Sequence, residues 1–198
     1  MTLSRKIYIC FLMTAFIWLV FALDYIIPIN FTNFGIIPRQ MDGLLGIFFA
    51  PFLHANLPHI ISNSIPLFIL TLTLFIFYEK QAFKVWFGIT LIGGGLVWLI
   101  AGLFSGPSVH VGASGVIYGL VAFLVLSGIY QRSIQTILIS IVVIIAYGSI
   151  IFGVLPTQPN ISWQGHLFGA LAGFYMAYVF RNKGQNITKL TKLRNNHK

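Results

Sequence analysis

The stretch that decides the fold is VHVGASGVIYGLVAF, from Val109 to Phe123, with a single serine, Ser114, at the start of an apolar run. Of the 198 residues, 58% are hydrophobic and 8% are charged, whereas a soluble domain carries about 25% charged residues. The composition therefore predicts an all-α membrane protein. In that setting Ser114 is either a packing serine bonded back to its own helix or a nucleophile held inside the membrane.

Six apolar runs have roughly the 20 residues that a helix needs to cross the hydrocarbon core. We expect spans over about 7–27, 59–78, 83–104, 112–130, 134–154 and 163–180. The apolar run from Leu44 to Leu53 predicts a short helix in the membrane interface, and Pro58 then suits the first turn of the second span. The predicted organisation is one six-span bundle over residues 1–180, followed by a basic tail over 181–198.

Basic residues collect on one side of these predicted spans. They are Arg5, Lys6, Lys80, Lys84, Arg132 and those of the tail, whereas Arg39 is alone on the other side. Positively charged loops stay in the cytoplasm, so both termini are expected to be cytoplasmic. A basic block beside a span typically faces anionic headgroups, so the net charge of +9 indicates contact with the lipid bilayer and not with nucleic acid. The single cysteine, Cys10, excludes a disulfide framework.

Polar side chains inside predicted spans are costly, so each needs a partner or a function. His59 and Asn63 share one helix face in the second span, where they either hold an oxyanion or bond to a neighbouring helix as packing groups. Ser114 and Tyr118 share a face of the fourth span, and His166 enters the sixth. All lie near the outer ends of their spans and together favour a Ser–His dyad with oxyanion donors. Because no acidic residue has a motif context, Tyr118 is expected to orient His166.

Glycines form two small-residue stripes on the same spans. Gly115 and Gly119 lie four apart in the fourth span, and Gly169 and Gly173 lie four apart in the sixth. Such stripes let two helix backbones approach closely. That packing would bring the expected base toward the expected nucleophile.

At these residues the sequence resembles the rhomboid family of intramembrane serine proteases. The motifs are His59-x-x-x-Asn63, Gly112-x-Ser114-Gly115 with Tyr118, and His166-x-x-Gly169-x-x-x-Gly173. They occur in the family's order, on the second, fourth and sixth spans, and the resemblance covers about residues 40–180. The layout is similar to the minimal six-span bacterial form.

The resemblance implies that Ser114 is the nucleophile and that His166 is the general base and then the acid. His59, Asn63 and the Ser114 backbone N–H would stabilise the oxyanion, and Tyr118 would support the site together with Gly112, Gly115, Gly169 and Gly173. The reaction would be hydrolysis of peptide bonds in or beside transmembrane helices of membrane-protein substrates, through an acyl-enzyme and without cofactor or metal. Substrate would enter laterally past the fifth span and the 155–162 loop. The site would open to the extracytoplasmic side of a bacterial plasma membrane.

Three alternatives remain open at this point. A catalytically inactive rhomboid-like protein would bind transmembrane segments without cutting them, although such proteins usually lack the serine or the histidine. A transporter or channel would place its polar groups at mid-membrane. A zinc site would need the convergence of His54, His59, His110 and His166. The sequence leaves open the natural substrate, the oligomeric state and the shape of the loop around Arg39, which has no neighbouring tryptophan.

Overall fold

The computed structural model describes residues 1–103, 106, 108–156 and 161–181, and within these ranges the chain is helical. The α-helices are α1 (Leu3–Ile26), α2 (Gly46–Phe49), α3 (Leu57–Phe77), α4 (Ala82–Ile100), α5 (Ser114–Gln131), α6 (Ile134–Tyr147) and α7 (Trp163–Val179). Short 3-10 helices cover Phe31–Phe34, Met41–Gly43, Ala50–Phe52 and Gly148–Val154. The predicted tail beyond residue 181 and residues 157–160 of the predicted cap loop lie outside the described residues.

Five helical segments of the described chain are long and apolar enough to cross a membrane: α1, α3, α4, α5, and α6 together with the 3-10 helix that continues it to Val154. These confirm an all-helical membrane fold. Helix α7 has 17 residues and extends about 26 Å at 1.5 Å per residue, short of the roughly 30 Å hydrocarbon core. The sixth span and the orientation of the termini therefore stay predictions.

Helix α5 begins later than expected. The predicted span started at residue 112, but the helix starts at Ser114 itself. Gly112 has φ +112°, which a right-handed helix cannot include and which glycine adopts most readily. Ser114 is consequently the first residue of the helix and not a residue one turn inside it.

The connection between α1 and α3 lies against the end of α4. The short helix expected over Leu44 to Leu53 is present as α2 and the 3-10 turn after it, and Pro58 lies in the first turn of α3 as expected. Arg39 donates from Nη1 to the carbonyl of Ala101 at 2.7 Å. The indole N–H of Trp98, which belongs to α4, donates to the carbonyl of Gln40 at 2.9 Å. The tryptophan beside Arg39 is therefore supplied by a helix distant in sequence.

Helix α5 is the centre of the bundle and packs against α3, α4, α6 and α7. Leu120, Phe123 and Leu124 on it are fully buried. At the opposite end from Ser114, the Met1 amino group pairs with Glu79, and Lys6 Nζ lies 2.6 Å from the same carboxylate. The start of α1 is thus fastened to the α3–α4 turn, at the end of the bundle that carries basic residues.

Candidate active site

Ser114 and His166 form a direct hydrogen bond. His166 Nε2 lies 2.9 Å from Ser114 Oγ, and His166 Nδ1 lies 2.9 Å from the carbonyl oxygen of Gly153. A carbonyl oxygen only accepts, so Nδ1 must carry the ring proton of the neutral imidazole. Nε2 then presents its lone pair and accepts the hydroxyl proton of Ser114. This is the arrangement in which a histidine can remove the proton of a serine.

Both side chains lie in the first turn of their helices. Ser114 opens α5 after the left-handed turn at Gly112, where a β-carbon would lie 2.6 Å from the His59 ring. His166 is in the first turn of α7, which is capped by the Ser162 hydroxyl accepting from the Gly165 N–H at 3.2 Å. The two helices run side by side in the same direction, so the two side chains share a depth.

The glycine stripes of α5 and α7 face each other. A β-carbon added to Gly169 would collide with the carbonyl of Gly115, and one added to Gly173 would collide with the carbonyl of Gly119. Backbones can approach this closely only where both surfaces lack side chains. The distance between the two helix axes, and with it the Ser–His distance, is set by these contacts.

Tyr118 lies one turn after the serine and packs on the imidazole. The rings of Tyr118 and His166 are stacked, with centroids 4.1 Å apart and planes at 9°. An aromatic face against the ring restricts its rotation about the Cβ–Cγ bond. The imidazole is therefore held by a stacked ring and by a backbone acceptor, with no carboxylate in contact among the described residues.

The predicted oxyanion donors His59 and Asn63 line the same cleft as Ser114. Their side chains have different partners. Asn63 is buried, and its Nδ2 donates one proton to the backbone carbonyl of His59 at 2.7 Å. The amide has a second proton for a ligand. The His59 ring contacts Gly112 and meets the His54 ring edge-on, with centroids 5.0 Å apart.

The start of α5 adds backbone donors to this group. Its N-cap is Ala113, which has no side-chain hydrogen bond to the first turn. The first N–H groups of a helix have no partner within the helix and carry partial positive charge. The Ser114 N–H is one of these groups, and it lies on the residue whose hydroxyl contacts His166.

A wide cleft contains the dyad. It has a volume of about 1120 Å³ and reaches both Ser114 and His166. Residues of α3, including Ser62, line one wall, and residues from the end of α6 and its 3-10 continuation, including Tyr147 and Ile150, line the other. A space of this size accepts an extended peptide segment.

Another histidine, His110, lies beside the cap of α7. Its ring nitrogens lie 2.6 Å from Ser162 Oγ and 3.0 Å from Ser108 Oγ, and its backbone pairs with that of Ile36. Burial lowers the pKa of His110 to about 4, so the ring is neutral at pH 7. The residue ties the segment before Ser114 to the cap of α7, a role that the sequence did not signal.

No three metal-ligating side chains converge anywhere in the described ranges, so the four histidines considered for zinc do not meet at one point there. His54 and His59 are neighbours, whereas His110 contacts serines and His166 contacts Ser114 and Gly153.

Comparison with known proteins identifies the class. The family model of the rhomboid domain matches residues 42–183. An uncharacterized protein of Mycobacterium tuberculosis is 39% identical over 174 residues, covering 83% of this chain and 71% of the relative. The Bacillus subtilis protein named "Putative rhomboid protease YdcA" is 28% identical over 131 residues, covering 64% and 62%. The chain therefore belongs to the rhomboid family, and it is an integral membrane protein. Most members are serine proteases that act on membrane-protein substrates in the bilayer, and some are inactive relatives.

Proposed function

We propose that the protein is an intramembrane serine endopeptidase that cleaves peptide bonds in or next to transmembrane helices of membrane-protein substrates. The observation that supports this most directly is the Ser114–His166 hydrogen bond of 2.9 Å. It is supported further by the Nδ1 contact with the Gly153 carbonyl, because that contact leaves Nε2 as the proton acceptor.

In the proposed reaction, Ser114 Oγ attacks the carbonyl carbon of the scissile bond while His166 Nε2 takes its proton. The oxyanion is held by the Ser114 N–H, the His59 ring and the second amide proton of Asn63. The tetrahedral intermediate then collapses, the C–N bond breaks, and His166 gives its proton to the leaving amine. A water molecule, deprotonated by His166, hydrolyses the resulting acyl-enzyme and restores the Ser114 hydroxyl.

We further propose that α7 completes a six-span bundle with both termini in the cytoplasm. The basic residues at the end of the bundle opposite to the dyad support this orientation. The site then opens to the extracytoplasmic side of a bacterial plasma membrane. A substrate helix would enter through the cleft between α3 and the end of α6 and would have to unwind locally to expose a peptide bond.

The test is cleavage of a tagged transmembrane substrate by the full chain in proteoliposomes, beside Ser114→Ala and His166→Ala. Both variants should lose cleavage by about a thousandfold or more, as in other serine proteases. Ser127→Ala is the matched control, because Ser127 is a buried serine of the same helix, about 20 Å farther along it. A Ser114→Ala protein that cuts as fast as the wild type would make Ser114 a packing serine. Saturable binding of transmembrane segments with no cleavage across a substrate panel would favour the inactive relative.

A further inference from the structure

The carbonyl that accepts the His166 ring proton belongs to Gly153, which lies in a 3-10 helix after α6. Helix α6 ends at Tyr147, and the next residues form the 3-10 helix Gly148–Val154. In a 3-10 helix the carbonyl of residue i accepts from the N–H of residue i+3. For Gly153 that residue is Pro156, which has no N–H. The proline thus leaves the Gly153 carbonyl without its usual partner, and His166 Nδ1 occupies the position at 2.9 Å.

Residue 153 also has to be small. A β-carbon added there would collide with the hydroxyl of Tyr118 and would lie 3.2 Å from His166 Nδ1. Any side chain would therefore push the backbone away from the imidazole or displace the ring stacked on it. By contrast, a β-carbon on Gly148, at the start of the same 3-10 helix, would meet the Ile144 side chain at an ordinary 3.8 Å and no other described residue within 4 Å.

We propose that Gly153 is a positioning residue whose carbonyl orients His166, in the place that the aspartate carboxylate has in a Ser–His–Asp triad. The inference rests on the proposed function. The carbonyl fixes the Nδ1–H tautomer, so that Nε2 always faces Ser114 as an acceptor, and its dipole stabilises the imidazolium that forms when the serine proton is taken. A neutral dipole does this less strongly than a carboxylate.

The segment that orients His166 also forms part of the cleft. The same 3-10 helix contributes Ile150 to the cleft wall, so the position of the wall and the orientation of His166 are set by one segment. The dyad is productive only while Gly148–Val154 is packed against α7. A displacement of this segment would switch off proton transfer without moving Ser114 or the glycine contacts between α5 and α7.

The experiment compares Gly153→Ala with Gly148→Ala in proteoliposomes, using the tagged substrate to measure kcat and KM. A fluorophosphonate probe reports separately how fast the serine reacts. Gly153→Ala should lower kcat about 10- to 100-fold with little change in KM, the size of effect that a misplaced catalytic group has. It should slow labelling by a similar factor. Gly148→Ala should leave kcat, KM and labelling within about twofold of wild type, since it adds a methyl group in ordinary contact.

Two further variants separate orientation from simple crowding. Pro156→Ala adds no bulk but restores an N–H that competes for the Gly153 carbonyl, and it should lower kcat severalfold without lowering the unfolding midpoint. Adding Gly153→Ala to Tyr118→Phe, which lacks the colliding hydroxyl, should cost less activity than adding it to the wild type. Pro156→Ala also keeps the test decisive if Gly153→Ala does not fold.

The outcomes are distinguishable. If the wild type cleaves the substrate and reacts with the probe, and Gly153→Ala and Pro156→Ala have unchanged kcat and labelling, the proposed role of Gly153 is wrong. The proposed protease function is then unaffected. A wild type that neither cleaves nor reacts with the probe overturns the proposed function, and the inference falls with it.

Discussion

The α5–α7 pair and the α6 segment differ in how they are held. Helices α5 and α7 meet backbone to backbone at Gly115, Gly119, Gly169 and Gly173. Helix α6 instead presents much of its surface to the surroundings, and Ile145 is 80% exposed. Its attachment to α5 includes a polar contact at mid-helix, where the Ser140 hydroxyl reaches the carbonyls of Leu124 and Val125.

The catalytic side chains and the group that orients them therefore lie on elements that are packed to different degrees. The nucleophile and the base lie on the closely packed pair, which fixes their spacing. The acceptor that orients the base and one wall of the cleft lie on the less packed segment, beyond the end of α6. A protein that must admit a large substrate and still keep its catalytic spacing gains from such a division, because packed backbones have few alternative arrangements.

The largest effect is expected from breaking the packed pair. Gly169→Ala puts a methyl group against the Gly115 carbonyl, so the helices must separate. Overpacking of this kind costs about 1–3 kcal/mol of unfolding free energy. It also lengthens the Ser–His distance, so cleavage should fall at least as far as in Gly153→Ala. Unfolding midpoints in detergent and kcat measure the two effects.

The control for that prediction is Gly95→Ala in α4. A β-carbon on Gly95 meets nothing within 4 Å in the part of the chain that the structure describes. The change should therefore leave stability and cleavage unaltered or slightly raise stability, since alanine favours helix over glycine. If Gly169→Ala behaves like Gly95→Ala, the contact between α5 and α7 does not set the spacing of the dyad.

The sequence predicted most of the helices and the proximity of Ser114 to His166, because both follow from side chains. Apolar runs mark the helices, and stripes of small residues mark where two helices can approach closely. It could not predict what depends on backbone groups. The span expected over 134–154 is present with those bounds, but the sequence did not show that it changes from α-helix to 3-10 helix after Tyr147. A carbonyl acceptor such as that of Gly153 has no residue type to mark it. Likewise, the bond from Asn63 to its own helix follows from a rotamer and not from spacing.

The second-largest effect is a loss of stability in acid, caused by buried histidines outside the spans. Burial lowers the pKa of His54, with a further contribution from His59, to about 4, and burial lowers that of His110 to about 4. The unfolded imidazoles ionise near pH 6.5, so the unfolded state binds protons first as the pH falls. Stability is therefore complete above about pH 6.5 and is lost progressively down to about pH 4, by about 1 kcal/mol per histidine at pH 5.5.

Unfolding midpoints at pH 7.5 and pH 5.5 measure this loss. His110→Gln keeps a hydrogen-bonding side chain that does not titrate, so it should reduce the difference between the two pH values by the contribution of His110. A midpoint that is equally pH-dependent in wild type and His110→Gln would show that His110 is not one of the groups responsible.

A smaller effect is expected where α6 is attached. Ser140→Ala removes a hydroxyl whose single proton is shared between two α5 carbonyls within 3.1 Å and the carbonyl of Thr136 on its own helix. An interhelical hydrogen bond in a membrane is worth about 1 kcal/mol. Thr73→Ala is the matched control, because the Thr73 hydroxyl bonds to its own helix, at the carbonyl of Ile69. Ser140→Ala should lower the unfolding midpoint more than Thr73→Ala does. Equal midpoints would mean that α6 is not held by this contact.

The smallest effect is expected on the outer face of the same helix. Ile145 is 80% exposed and Val143 is 4% exposed, although they lie two residues apart. In a bilayer an outward apolar side chain contacts lipid tails whether or not the helices are associated, so burying it is not what holds the bundle together. Ile145→Ala should therefore change the unfolding free energy by less than about 0.5 kcal/mol, whereas Val143→Ala leaves a gap against α5 and should cost about 1 kcal/mol or more. If Ile145→Ala proved the more damaging of the two, the exposed face of α6 would be covered by protein, and this helix would be as firmly packed as α5 and α7.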